Sequence, residues 1–328
     1  MDEVLIGTLL ASTLRVSVPL ILCALAGTLA ERAGVIDLGL EGKMLFTAFA
    51  TAGVGVASGS ALAALAAALA VGLALSMLHG YACVSHRGDQ VVFGMAVTMT
   101  AAGLTVVLGM AWFHQGGQTP PLPDAVRLMP LLPAGVEHWA SVPWLGAIVA
   151  VVGIGLLSHN LMVYLSLALV VGVGWLLYRT RFGLRLRATG ENPAMVDAAG
   201  VSVKRLRYTA LALNGLLSAL AGAYLVLALT PAFIPNMTAG RGYMALAAMI
   251  FGKWRPGGAL AACLLFGFLE AVAIRLQGVA LPAAWGGGEV PVQAIQALPY
   301  VLTVLLLAGF IGSAAAPRAL GVPYIKER

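Results

Sequence analysis

The chain has 328 residues, 60% of them hydrophobic and only 10% charged, whereas a soluble domain carries about 25% charged residues. So little polar surface cannot cover a water-exposed globule, and the long unbroken apolar runs exclude a β-barrel built from short alternating strands. The formal charge of +6 does not mark a nucleic-acid partner, because the basic residues cluster in loops beside apolar runs, as loops held in the cytoplasm do.

The expected fold class is therefore all-α: a polytopic transmembrane helical bundle, a single domain over residues 1–328. The start, MDEVLIG, lacks a basic leader, so the first span is expected to act as its own insertion signal. A span needs about 17–25 apolar residues. The candidates are Thr13–Ala30, Leu45–Ser58, Ala61–Tyr81, Val91–Phe113, Leu161–Leu177, Tyr208–Leu229, Tyr243–Phe251, Ala259–Leu276 and Leu298–Ile311. That is about nine crossings, with eight or ten also compatible. Leu45–Ser58 and Tyr243–Phe251 are short, as broken or re-entrant helices are. The charged runs Gly34–Gly42 and Ser85–Gly94 border such segments.

The segment His114–Val142 contains five prolines and one arginine, Arg127, and is expected outside. Trp144–Leu157 is apolar but short, and a full crossing there would place the next basic segment outside. It is expected as a half-helix or interfacial segment on the outer face. Gly59–Gly80 and Gly257–Gly278 share length, flanking glycines and an ALAA start. Running in opposite directions, they are candidates for an inverted-topology repeat; two Ala/Leu-rich helices also match by composition alone.

Arg179–Tyr208 is a polar island between two spans and holds seven of the nineteen Lys and Arg residues. The basic loops, this one above all, and the C-terminus are expected in the cytoplasm. Within it, Asn192 is placed to cap a short helix with Pro193 at its first position and Gly200 at its end. Ala194, Met195, Ala198 and Ala199 then form a small apolar face. No phosphate-binding loop, zinc motif or nucleophile motif occurs, so no catalytic residue is expected. The three cysteines and five histidines lack ligand spacing, which predicts neither a metal site nor a disulfide framework; the histidines read as interfacial. Arg15, Arg241 and Arg275 are read near outer span ends, where snorkelling is the ordinary role. Arg241, beside Asn236, is the exception expected to meet a polar solute. Asn214 and Ser218 share a helix face, either packing helices or lining the path.

The island, RTRFGLRLRATGENPAMVDAAGVS, resembles the coupling segment of permease subunits in bacterial ABC importers. More narrowly it is similar to the branched-chain amino acid, ribose and nucleoside permease family. Glu31–Gly42 (ERAGVIDLGLEG), Asp89-Gln90-Val91-Val92 with Gly94, and Gly240–Trp254 (GRGYMALAAMIFGKW) are similar to further motifs of that family, in order along the chain. With Thr13–Arg15, they look most like permeases of nucleoside importers. Asp37 departs from the Asn usual in these relatives, and Lys43 stands where an apolar residue such as Met is common. The simple account pairs the two at the cytoplasmic surface; the other makes Asp37 a gate charge.

The resemblance implies a permease of the bacterial inner membrane, moving solute by alternating access. It implies that residues 179–207 couple to a separate ATPase through Arg181, Phe182, Gly183, Arg187, Gly190, Glu191, Asn192, Pro193, Ala194, Ala198 and Gly200. Asp37, Glu41, Gln90, Asn214, Ser218, Asn236 and Arg241 are the candidates for a substrate path. The chain itself is expected to bind no cofactor, ATP and Mg²⁺ belonging to the partner ATPase. The other expected partners are a second permease, more in keeping with a paralogue than an identical copy, an extracytoplasmic binding lipoprotein of the basic-membrane-protein type, and membrane lipid. Ribose and other simple sugars, branched-chain amino acids and flavins share this architecture and remain alternatives to nucleosides. An ion-driven secondary transporter would instead require paired acids buried within spans, and Glu31, Asp37, Glu41 and Asp89 all read as peripheral. A membrane enzyme or scaffold lacks any supporting residues.

Overall fold

A computed structural model describes residues 2–131, 149–277, 280–281, 288–289, 297, 301 and 315–326. Ten α-helices are found among the described residues: α1 (Asp2–Arg32), α2 (Leu40–Ser58), α3 (Ala61–His79), α4 (Gln90–Phe113), α5 (Leu161–Arg179), α6 (Arg181–Glu191), α7 (Pro193–Ala198), α8 (Val203–Tyr224), α9 (Arg241–Phe251) and α10 (Pro256–Leu276). π-Helical turns extend α3 through Gly80–Ser85 and α8 through Leu225–Leu229, and a further one covers Val149–Leu157. Ala280–Leu281 pairs antiparallel with Gly288–Glu289.

Six helical segments are long and apolar enough to cross a membrane: Leu5–Arg32, Ala61–Ser85, Gln90–Phe113, Leu161–Arg179, Val203–Leu229 and Pro256–Leu276. The count of about nine is thus met by six among the described residues. Apart from Val301, Leu298–Ile311 lies outside them, and the other two candidates are altered; of the expected half-helix Trp144–Leu157, Val149–Leu157 is described and forms a π-helical turn. The expected short segment Leu45–Ser58 is the tail of α2, which begins at Leu40 and carries Glu41 and Lys43 in its first turn. The α9 helix has 11 residues, a rise of about 16 Å at 1.5 Å per residue, roughly half of a hydrocarbon layer. The polar island is also shorter than it reads, because Ser202 caps α8 and Lys204, Arg205, Arg207 and Tyr208 belong to that span.

The most buried spans are α8 and α1. The contacts exchange in a regular way: α1 packs on α10 as α8 packs on α3, while α2 pairs with α3 and α9 with α10. Small residues permit these close crossings. A side chain on Gly72 of α3 would strike the carbonyl of Gly215 in α8, and one on Gly215 would strike Gly72 and Ser76. Such backbone approach is how helices associate where the surrounding lipid is as apolar as their own side chains.

His79 and His159 are buried, not interfacial. The His159 ring places Nε2 3.0 Å from the Gly155 carbonyl, and burial pushes its imidazole below the ordinary value, so it stays neutral at pH 7. On the side away from α6 and α7, the strand of chain after α4 lies over the end of α8. Thr119 donates to and accepts from Phe233, Leu122 N–H donates to Pro231, and Leu128 N–H donates to Leu227. The segment expected outside, His114–Val142, is in this way joined over its described residues to residues 231–233.

Candidate functional site

Two regions gather the candidate residues. In the first, Thr180 ends α5 and caps α6, its hydroxyl accepting from Gly183 N–H. A side chain on Gly183 would collide with the Leu176 and Leu177 carbonyls, so α6 leaves α5 at a tight corner that only glycine allows. Asn192 then caps α7 by accepting from Met195 N–H at 3.2 Å, Pro193 occupies its first turn, and Gly200 follows with φ +78°. The capping, proline and glycine chemistry of this short helix was legible in the sequence; α6 itself was not singled out, although Thr180 ahead of RFGLRLRATGE is an N-cap signal.

Val196 anchors α7 by burial against Val203 and Leu206, with Phe182, Ala188, Val201 and Tyr324 around them. Full burial of a valine contributes about 1.5–3 kcal/mol. The other face of this helix pair is open. Met195 is 69% and Leu184 61% exposed, and with Ala188, Ala199 and Val201 they line an apolar groove edged by Arg185 and Glu191. Glu191, Asn192, Ala194 and Ala198 are exposed beside it, as is Arg181; Pro193 is half-buried. Arg187 lies over the Tyr178 ring at 4.8 Å.

Gly190 ties this unit to the bundle. Any side chain there would meet the Arg32 carbonyl at the end of α1. Its own carbonyl accepts from Ala319 N–H at 2.8 Å, and Gly321 N–H donates to Gly34. The buried Arg207 guanidinium donates to the Ala33 and Val322 carbonyls. The described C-terminal segment therefore clasps α6, α8 and the end of α1 together. No sequence signal marked that role for the tail.

The second region lies about halfway through the bundle. Arg32 at the end of α1 donates to the carbonyls of Lys253 and Trp254, so α9 ends on the same side as Gly190. The α9 helix then places its first residue, Arg241, about 16 Å deeper. Arg241 is thus not at an outer span end, because the helix it opens is too short to reach one. Its guanidinium donates to Glu270 of α10 at 2.7 Å and to the Met237 carbonyl.

Glu41, at the start of α2, faces the start of α9. Its carboxylate accepts from the N–H groups of Gly240 and Gly242 at 2.8 and 2.6 Å. A carboxylate against two orphan donors at a helix N-terminus is a favourable charge–dipole contact. Beside it, Glu41, Thr98, Asn236, Thr238, Gly240 and Tyr243 help line a cavity of about 240 Å³. Asn236 is exposed there and has φ +55°.

Asp37 and Lys43 do pair, at 2.6 Å, but both are fully buried and not at a surface. Lys43 Nζ also donates to Asn214 Oδ1 at 2.9 Å, Ser76 donates to the same oxygen, and His79 Nδ1 stands 3.3 Å from Asp37 Oδ1. The turn 33–39 carries Asp37 inward because Gln90 Oε1 accepts from Ile36 N–H and Asp37 itself accepts from Gly39 N–H. Ser218 bonds the carbonyls of Asn214 and Gly215 within its own helix, and not the Asn214 side chain.

The acids expected to be peripheral are mostly interior: Glu31, Asp37 and Glu41 are buried, and Asp89 alone is exposed, capping α4. Each has a fixed partner, Glu31 accepting from Trp254 Nε1 at 2.6 Å. No grouping of three or more metal-ligating side chains occurs among the described residues.

The family model described as branched-chain amino acid transport system / permease component matches residues 9–315. The chain is 36% identical to the guanosine ABC transporter permease protein of Bacillus subtilis, over 99% of this chain and 98% of that protein. It is 36% identical to the nucleoside ABC transporter permease protein of Lactococcus lactis, over 98% and 97% respectively. A shorter match, 40% identical over 37% of this chain and 36% of the relative, is to the autoinducer 2 import system permease protein of Klebsiella pneumoniae.

Proposed function

Since the chain belongs to the permease-component family of branched-chain amino acid transport systems, we propose that it is the membrane permease of an ATP-driven importer whose cargo is nucleosides. The observation that carries the cargo is similarity to two nucleoside-system permeases along nearly the whole length of all three chains. The open groove of α6 and α7 supports the coupling role: it is the exposed apolar face of a unit braced to α1, α5 and α8, so force applied there reaches the spans.

In this reading α6, α7 and the C-terminal segment face the cytoplasm, as their Lys and Arg content favours, and a separate ATPase docks on Leu184, Met195 and Ala199. ATP and Mg²⁺ belong to that ATPase. A second, paralogous permease completes the pore, and an extracytoplasmic binding protein delivers solute to the segments around 114–131 and 231–240. The crosswise packing of α1 on α10 and α8 on α3 favours two inverted repeats, α1–α3 and α8–α10, rocking about their shared seam. The facing starts of α2 and α9, with Glu41, Asn236 and Arg241, lie where broken helices meet a solute near mid-membrane.

Purification of the tagged chain from native membranes, followed by uptake of radiolabelled uridine, adenosine and ribose into proteoliposomes, tests the reading. Recovery of an ATPase with ATP-dependent nucleoside uptake supports it. An ATPase with ribose uptake alone changes the cargo, and uptake driven by an ion gradient without an ATPase overturns the reading.

A further inference from the structure

A second cavity is not used by the transport path or by the coupling groove. It is a crevice of about 480 Å³ between the π-helical end of α3, the start of α8, α7 and the C-terminal segment. Four cationic side chains line it, Arg87, Lys204, Arg207 and Lys326, against one carboxylate, Asp197. Lys326 stands 3.6 Å from Asp197, which answers that acid's charge. Arg87, Lys204 and Arg207 have no carboxylate partner among the described residues.

Three features make this more than a solvated basic face. Arg207 is 2% exposed and lies beneath the crevice, its Nε and Nη1 donating to the Ala33 and Val322 carbonyls and its Nη2 sealed against Gly34. Its charge has no carboxylate partner among the described residues, and a buried unpaired charge is costly unless an anion comes close to it. Ser202, which caps the 22-residue α8, also lines the crevice, so the positive end of a long helix dipole points there. Arg87 is held at φ +59°, a backbone conformation that a residue with a side chain rarely adopts, and this keeps it at the crevice edge.

We infer that this crevice binds a phosphate group, held by Arg87 and Lys204 above the buried charge of Arg207. Such a group has two natural sources on the side placed above in the cytoplasm: an anionic phospholipid headgroup, or a soluble phosphate compound. Either one bridges α3, α8 and the tail that clasps α6, and so stiffens the base on which α7 sits. The inference uses the proposed orientation but not the cargo.

The test is the melting of this chain within the assembled importer in neutral detergent. Inorganic phosphate and dihexanoyl phosphatidylglycerol are titrated separately, against chloride at equal ionic strength. The comparison is with the double variant Arg87→Gln/Lys204→Gln, both exposed side chains, and with Lys326→Gln as a second, independent variant. Because any phosphate bound by the ATPase is common to all three proteins, differences report on the crevice. Stabilisation by phosphate assigns a soluble source, and stabilisation by phosphatidylglycerol alone assigns lipid. In either case the double variant needs at least about tenfold more ligand for half the effect, the loss expected when charge-assisted contacts are removed. No stabilisation beyond chloride, or equal midpoints in wild type and double variant, overturns the inference. Uptake is not read, so failure here is distinct from failure of the transport assignment.

Discussion

Asp37 and Lys43 form a buried ion pair, and a double-mutant cycle that replaces them by Asn and Met tests whether each compensates the other's charge. In Asp37→Asn, Lys43 loses its counter-charge and keeps only neutral acceptors, such as the Asn214 oxygen at 2.9 Å. Breaking a buried pair from one side costs about 3–5 kcal/mol. In Lys43→Met, Asp37 still has Gly39 N–H at 3.1 Å and His79 Nδ1 at 3.3 Å. The expected cost is smaller, about 2–3 kcal/mol. The double variant removes both charges at similar volume and is expected within about 1 kcal/mol of the parent. At roughly 2–4 °C per kcal/mol, the worse single variant melts about 6–20 °C lower and the double variant within a few degrees of the parent. The assay is thermal melting of the purified permease in the assembled complex, with nucleoside uptake measured in parallel. A double variant as unstable as the sum of the singles refutes the reasoning, because the two charges would then not be each other's compensation.

Met195→Asp puts a charge on the apolar docking groove without touching the Val196 anchor. Insertion and melting are expected to hold while ATP-dependent uptake and ATPase recovery fall at least tenfold; normal uptake rejects the groove as the docking face. Gly190→Val forces a side chain against the Arg32 carbonyl, and overpacking of this kind costs about 1–3 kcal/mol; protease sensitivity of the C-terminal segment is the readout. Arg241→Met leaves Glu270 without its 2.7 Å partner inside the bundle, and uptake is expected to fail. The swap Arg241→Glu/Glu270→Arg should recover stability by melting, and should recover uptake only if the pair acts as a strut and not as a solute contact.

Residue types alone determined much of this protein. Apolar runs longer than a bilayer is thick predict spans wherever they occur, and Asn192-Pro193 with Gly200 specifies a short capped helix, because capping is local chemistry. The motifs at 31–42, 89–94, 179–200 and 240–254 likewise pointed to the family before any geometry. What the sequence could not place was depth and partnership. Arg241 reads as the outer end of a span, and only the bond from Arg32 to the end of α9 puts it mid-bundle. Glu31 and Glu41 read as peripheral because charge suggests a surface, yet each is matched by a donor more than 190 residues away, Trp254 or Gly240. The clasp of the C-terminal segment on Gly190 and Arg207 is equally non-local. A hydrogen bond between distant residues leaves no periodicity in either segment, so the packing of α1, α8, α9 and the tail decided where these charges sit.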